Sequence, residues 1–181
     1  GVFAVAFSPD GKMLATGSAD KTIKVYSVNN DFSLMHTLEG HTHSVMSISF
    51  SPDSSRLCSV SYDESIRLWS TKKGRLLKTV TNVSVMMVAH SPDGNSIASC
   101  DSNDSIIKLW GGETLKLIEQ ISPRYHLDNW NAYSGIKCCC WHPTGRCVLS
   151  GGVDNAVRTT PFSTRPPTPP PTPPPTPPPT P

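Results

Sequence analysis

Apolar and polar residues alternate in short runs through most of this 181-residue chain. "VFAVAF" sets the beat at the start, and "SVMSISF", "SVMMVAH" and "IKCCCWH" take it up again further on. Alternation with period two puts successive side chains on opposite faces of a strand, so these runs predict β-structure. Each leads into a turn: "FSPDG" ending at Gly11, "FSPDS" at Ser54, "HSPDG" at Gly94 and "WHPTG" at Gly145. Proline fixes φ and glycine accepts φ > 0, which together predict a tight turn between antiparallel strands. A second run follows each turn ("MLATGSAD", "RLCSVSYD", "SIASCDSND", "CVLSGGVD"). A third comes next ("TIKVYS", "SIRLWS", "SIIKLW", "AVRTT"), and the first three units add a fourth ("LMHTLEG", "RLLKTV", "LKLIEQI").

The turn prolines Pro9, Pro52, Pro92 and Pro143 recur at spacings of 43, 40 and 51 residues. Four short strands repeating about every 42 residues predict the blades of a propeller. With Gly40-His41 opening the second unit and Trp69 near its end, the chain resembles the WD-repeat β-propellers over residues 1 to 160. The expected fold is all-β, with about four blades forming an incomplete ring. The blades are expected at residues 1–39, 40–81, 82–122 and 135–160, with a long loop at 123–134 and a separate tail at 161–181. The sequence departs from the family pattern in two ways. The Trp-Asp dipeptide is missing from every unit (Tyr26-Ser27, Trp69-Ser70, Trp110-Gly111 and Thr160-Pro161 stand there), and Gly-His occurs once.

His41, Ser59, Asp63 and Trp69 invite two readings. A serine, a histidine and an aspartate form the catalytic set of many hydrolases. The resemblance implies instead one hydrogen-bonded chain inside a blade: histidine, strand hydroxyl, turn aspartate and ring. The other units favour the structural use, because they keep only parts of the set. Thr16 and Asp20 stand in the first unit, with Tyr26 in the ring position. Ser99, Asp104 and Trp110 stand in the third, and Ser150 and Asp154 in the fourth. A catalytic set is all-or-none, whereas a strut can weaken unit by unit. No enzyme is expected, and no cofactor.

Composition narrows the partners. Net charge is +2 and the basic residues are scattered, which offers no electrostatic footing for nucleic acid or anionic membrane. Apolar runs are too short to span a bilayer as helices, and no secretory leader pattern is visible. Gly1 is not set up for myristoylation, because Val5 stands where a hydroxyl is wanted. Cys138, Cys139 and Cys140 are contiguous, unlike the cysteines of a disulfide framework, which predicts a reducing cytoplasmic or nuclear setting. With His142 and Cys147 they suggest a metal, but neighbours on a strand point to opposite faces, so at most Cys138 and Cys140 share a side. Lys21, Lys24, Arg67, Lys72 and Lys73 read as solvated positions. Thirteen of the eighteen prolines fall in residues 161–181, a composition that predicts polyproline II or disorder; the expected reading is a solvated spacer or a read-through of repetitive coding sequence, the functional alternative a ligand for aromatic-grooved domains or a target of proline-directed kinases.

The resemblance implies a protein-interaction scaffold that binds protein or peptide partners through its D–A and B–C loops, the blade strands being lettered A to D in chain order. A second reading makes the chain the C-terminal sensor part of a larger enzyme or ATPase. The surplus in the third spacing falls at "SPRYHLDNWNAYSG", a D–A connection. Arg124, Tyr125, His126, Trp130 and Tyr133 there are suited to partner contact, and Trp130 and Tyr133 are equally able to close the gap between blades three and four. His43 and Tyr62 are expected on the same face beside the second blade. Bare end blades predict self-association or cover from further chain.

Overall fold

The computed structural model describes residues 1–100, 106–121, 136–152 and 157–161. Among them every regular element is a strand, and the strands form four antiparallel sheets. The first sheet is β1 (Val2–Phe7), β2 (Met13–Ser18), β3 (Ile23–Ser27) and β4 (Ser33–Leu38). The second is β5 (Val45–Phe50), β6 (Arg56–Ser61), β7 (Ser65–Ser70) and β8 (Arg75–Val80), and the third is β9 (Met87–His90), β10 (Ser96–Cys100), β11 (Ile107–Gly111) and β12 (Leu117–Ile121). The fourth has three strands among the described residues: β13 (Ile136–Trp141), β14 (Cys147–Gly152) and β15 (Val157–Pro161). Consecutive strands are neighbours throughout, the meander expected of propeller blades.

The Ser-Pro-Asp turns hold each A strand to its B strand. The Ser8 hydroxyl donates to Asp10 Oδ1 at 2.6 Å and accepts from the Met13 N–H at 2.9 Å. Ser51 with Asp53 and Ser91 with Asp93 repeat the device. In the fourth blade His142 takes the serine's place, its Nδ1 lying 2.7 Å from the Thr144 hydroxyl. Gly11, Gly94 and Gly145 close three turns at φ near 70°, where a side chain is strained, and Ser54 takes the same conformation at φ 60°. Register slips recur as well, one of them at the start of the A–B pairing in the first, second and fourth sheets, at Val2/Ala4, Val45/Ser47 and Ile136/Cys138. A bulge precedes the ring position in each of the first three C–D pairings, at Val25/Tyr26, Leu68/Trp69 and Leu109/Trp110.

Among the described residues the core is a set of three slabs, one between each pair of adjacent sheets. Ala15, Ile23 and Val25 of the first sheet meet Ile48, Phe50, Leu57 and Trp69 of the second. Cys58, Val60, Ile66 and Leu68 meet Val88, Ile97 and Trp110 of the third. Ala98, Cys100, Ile107 and Leu109 meet Cys139 and Val148 of the fourth. Period two explains this: one side of each strand serves the blade before, the other the blade after. The approach is close enough that a Cβ on Gly17 would come within 2.7 Å of Val45.

Candidate functional site

The second blade brings four dispersed residues into one chain of hydrogen bonds. His41 arrives on the connection between β4 and β5, Ser59 on β6, Asp63 on the turn after it and Trp69 on β7. His41 Nδ1 lies 2.9 Å from Asp63 Oδ2, and His41 Nε2 lies 2.8 Å from the Ser59 hydroxyl. The Trp69 indole N–H donates to that same hydroxyl at 2.8 Å. Asp63 Oδ2 also accepts from the Thr42 N–H at 2.9 Å, and Asp63 Oδ1 from the Ser65 hydroxyl at 2.6 Å and the Ser65 N–H at 3.0 Å. Ser59 is fully buried, Trp69 is 1% exposed and His41 is 6% exposed.

Burial and bonding set the charges. Burial would raise the Asp63 carboxyl, but the hydrogen bonds from Ser65, Thr42 and His41 outweigh it and hold it at about 2. Burial pulls the His41 imidazole below its ordinary value; its bond to Asp63 works against that pull, and the Arg67 charge reinforces it.

Two further residues join the arrangement, one that the sequence does not single out and one that it assigns to solvent. Ser65 joins Asp63 twice and also lies 3.2 Å from His41 Nδ1. Arg67, read from sequence as solvated, is half-buried: its Nη2 stands 4.0 Å from Asp63 Oδ2 and its Nε donates to the Ser65 hydroxyl at 3.3 Å. The spacing Asp-x-Ser carries the signal for Ser65, because the first blade repeats it. There the Thr22 N–H and hydroxyl donate to Asp20 Oδ1 at 2.9 and 2.7 Å.

The other blades hold pieces. In the third, the Trp110 indole N–H donates to the buried Ser99 hydroxyl at 2.8 Å. In the first, Asp20 is exposed, and Thr16 and Tyr26 are half-buried. In the fourth, Ser150 and Thr160 are buried. Asp104, Asp154, Arg124, Tyr125, His126, Trp130 and Tyr133 lie outside the described residues. His43 and Tyr62 are exposed on the rim of the second blade, with ring centroids 5.7 Å apart in an edge-on pair. All six cysteines are free thiols. Cys139 turns inward while Cys138 and Cys140 face out, and among the described residues no three His, Cys, Asp or Glu side chains converge as a metal would require. Among the described residues, no helix is long and apolar enough to cross a membrane.

Similarity to known proteins follows the same repeat. The WD40 family (WD domain, G-beta repeat) matches at residues 1–27, 32–70, 74–111 and 124–159. COMPASS component SWD3 of Saccharomyces cerevisiae is 32% identical over 134 residues, 73% of this chain and 41% of that protein. The WD repeat-containing protein WDS homolog of Arabidopsis thaliana is 37% identical over 155 residues, 84% of this chain and 21% of that protein. The chain thus spans well under half the length of either relative. A shorter match, 62% identical over 39 residues, is to the probable serine/threonine-protein kinase PkwA of Thermomonospora curvata and takes in 22% of this chain and 5% of the kinase. The matched unit 32–70 begins with β4 of the first sheet and ends with β7 of the second, and the unit 74–111 is offset likewise. Since these units recur in step with the sheets and together take in most of its length, the chain belongs to the WD40 family.

Proposed function

We propose that the chain is a non-catalytic scaffold for protein–protein interaction and that the His41–Ser59–Asp63–Trp69 chain is a strut of the second blade. The engagement of Ser59 carries this reading. Its hydroxyl is fully buried and already meets both His41 Nε2 and Trp69 Nε1, so no substrate carbonyl has a path to it. Thr16, Asp20, Ser99, Trp110 and Ser150 are the weaker struts of the other blades, as are Asp104 and Asp154. Ser59→Ala should lower the melting temperature and abolish no activity; ester or peptide turnover that disappears with the hydroxyl would overturn the assignment.

Partners, protein or peptide, bind on the D–A and B–C loop face. His43 and Tyr62 present an exposed aromatic pair there, and Arg124, Tyr125, His126, Trp130 and Tyr133 belong to the same surface by their place in the repeat. One relative is by name a component of an assembly, which favours this use. Free thiols fit a cytoplasmic or nuclear location, and the role needs no cofactor, nucleic acid or membrane. His43→Ala with Tyr62→Ala should weaken a captured partner by about 2 kcal/mol, a common hot-spot cost, without shifting the melting temperature. Unchanged capture by that double variant would move the binding surface elsewhere.

The second reading, a regulatory propeller attached to an enzyme, draws on the kinase match. Sequencing the gene upstream of Gly1 decides it: an open reading frame encoding a catalytic domain supports it.

A further inference from the structure

The six cysteines occupy three kinds of place. Cys138 and Cys140 are exposed, Cys147 is half-buried, and Cys58, Cys100 and Cys139 are buried. Cys58 lies in the slab between the second and third sheets, whose other members are apolar side chains without a thiol. Cys100 and Cys139 share one slab, the one between the third and fourth sheets.

Strand register brings these two together. Cys100 follows the hydroxyl position Ser99 on β10, and Cys139 is paired with the hydroxyl position Ser150 on β13. The same two positions at the second junction are Val60, which follows Ser59, and Val88, which pairs with Ser99; both are buried in that slab. β10 packs on β13 as β6 packs on β9. A side-chain hydrogen bond joins the Cys100 and Cys139 thiols. At the first junction the two positions are Gly17 and Ile48, so the third alone sets sulfur against sulfur.

We propose that Cys100 and Cys139 form an oxidation site that takes a hydroperoxide and closes into a disulfide, tying the third blade to the fourth. One thiol loses its proton, and the thiolate attacks the peroxide O–O bond; hydroxide leaves, takes up that proton as water, and a sulfenic acid remains. The second sulfur attacks the sulfenic sulfur, and its proton departs with the hydroxyl as another water. Two thiols and one hydrogen peroxide thus give one disulfide and two waters, the sulfurs oxidised and the peroxide reduced. The bond to Cys100 first, and then burial, hold the Cys139 thiol well above its ordinary range, so it keeps its proton at neutral pH. Only a thiolate attacks, so the pair ignores a trace of oxidant and closes under sustained exposure.

The test is peptide mapping without reductant. The folded chain is treated with hydrogen peroxide, denatured in N-ethylmaleimide to block the remaining thiols, cut with trypsin and weighed. The Cys100 peptide should appear joined to the peptide that carries Cys138, Cys139 and Cys140, and a reductant should part them. Cys138→Ser with Cys140→Ser changes exposed positions and leaves Cys139 as the one thiol of its peptide, so this chain should still give the joined species. Cys100→Val and Cys139→Val place at the third junction the residue that the second already packs, and each should abolish it. Closing so long a loop should also raise the melting temperature by about 10 °C in the wild type and in neither valine variant. Cys100 and Cys139 both recovered as maleimide adducts, both recovered as sulfinic or sulfonic acids, or a joined species that is lost with Cys138 and Cys140 would each overturn the proposal.

Discussion

The first and second blades have the same strand order, the same Ser-Pro-Asp turn and the same Asp-x-Ser/Thr turn after strand B, yet only one contains a closed network. In the second blade Asp63 reaches His41, and His41 reaches Ser59 and through it Trp69. In the first, Asp20 is exposed and bonded to Thr22 two residues away, while Tyr26 in the ring position is half-buried. The turn is therefore a local product of sequence, and the network is not. It needs a histidine delivered by the preceding connection and a neighbouring blade to bury the ring.

The sharpest test of that contrast is the ring. Trp69→Ala should cost about 3–5 kcal/mol in chemical denaturation, the range for a fully buried large side chain, and Tyr26→Ala less than half as much. Equal losses would show that the two ring positions are equally buried in solution.

A pH comparison comes next in size. His90, paired with Ile97, occupies the A-strand position held in the first two blades by Phe7, paired with Leu14, and Phe50, paired with Leu57. Burial first, and then the Arg56 charge, bring its imidazole down to about 4 from its ordinary value of 6.5. The unfolded chain therefore takes up the proton first, so this stability is complete above pH 6.5 and drains away as pH falls toward 4. The loss amounts to about 3 kcal/mol. His90→Phe should flatten the melting curve between pH 7 and 4.5; a variant as acid-sensitive as the wild type would place the titrating group elsewhere. Asp63 acts lower down, between its ordinary value of 3.8 and about 2, where its contribution to stability is likewise lost as pH falls.

The smallest expected difference is between the aspartates. Asp63→Ala strands the donors of Thr42, Ser65 and His41, at about 2–3 kcal/mol. Asp20→Ala removes an exposed acceptor and should leave the melting temperature unchanged within error. A measurable drop for Asp20 would mean that the first blade has a network after all.

Much of this was legible in the residues. Alternation in "VFAVAF" and "SVMSISF" marks strands because it depends on nothing but the pleat, and the Pro-Asp-Gly turns are local in the same way. The spacing of His41, Ser59, Asp63 and Trp69 also reads directly, since all four lie within one repeat. Ser65 carries no mark of its role and Arg67 reads as solvated, because on a strand they look like any polar outward pair; only the curl of the turn after β6 brings them onto Asp63. Contacts between blades were hidden for a different reason. The Trp141 bond to the Ala89 carbonyl joins residues that no pattern along the chain relates, and it appears only once two sheets are stacked.

The offset between sequence unit and sheet has a consequence for how such a chain can grow or be cut. The unit 32–70 brings with it β4, the outer strand of the sheet before its own. A gene segment copied at those boundaries would thus arrive already stitched to its neighbour, lending one strand backward and awaiting one from the unit ahead. A nick or truncation at Ser70 would do the reverse: the second sheet would lose β8 and be left with the backbone of β7 as an unsealed border. Ending the chain after Val80 instead, in the middle of a unit, would leave the second sheet whole.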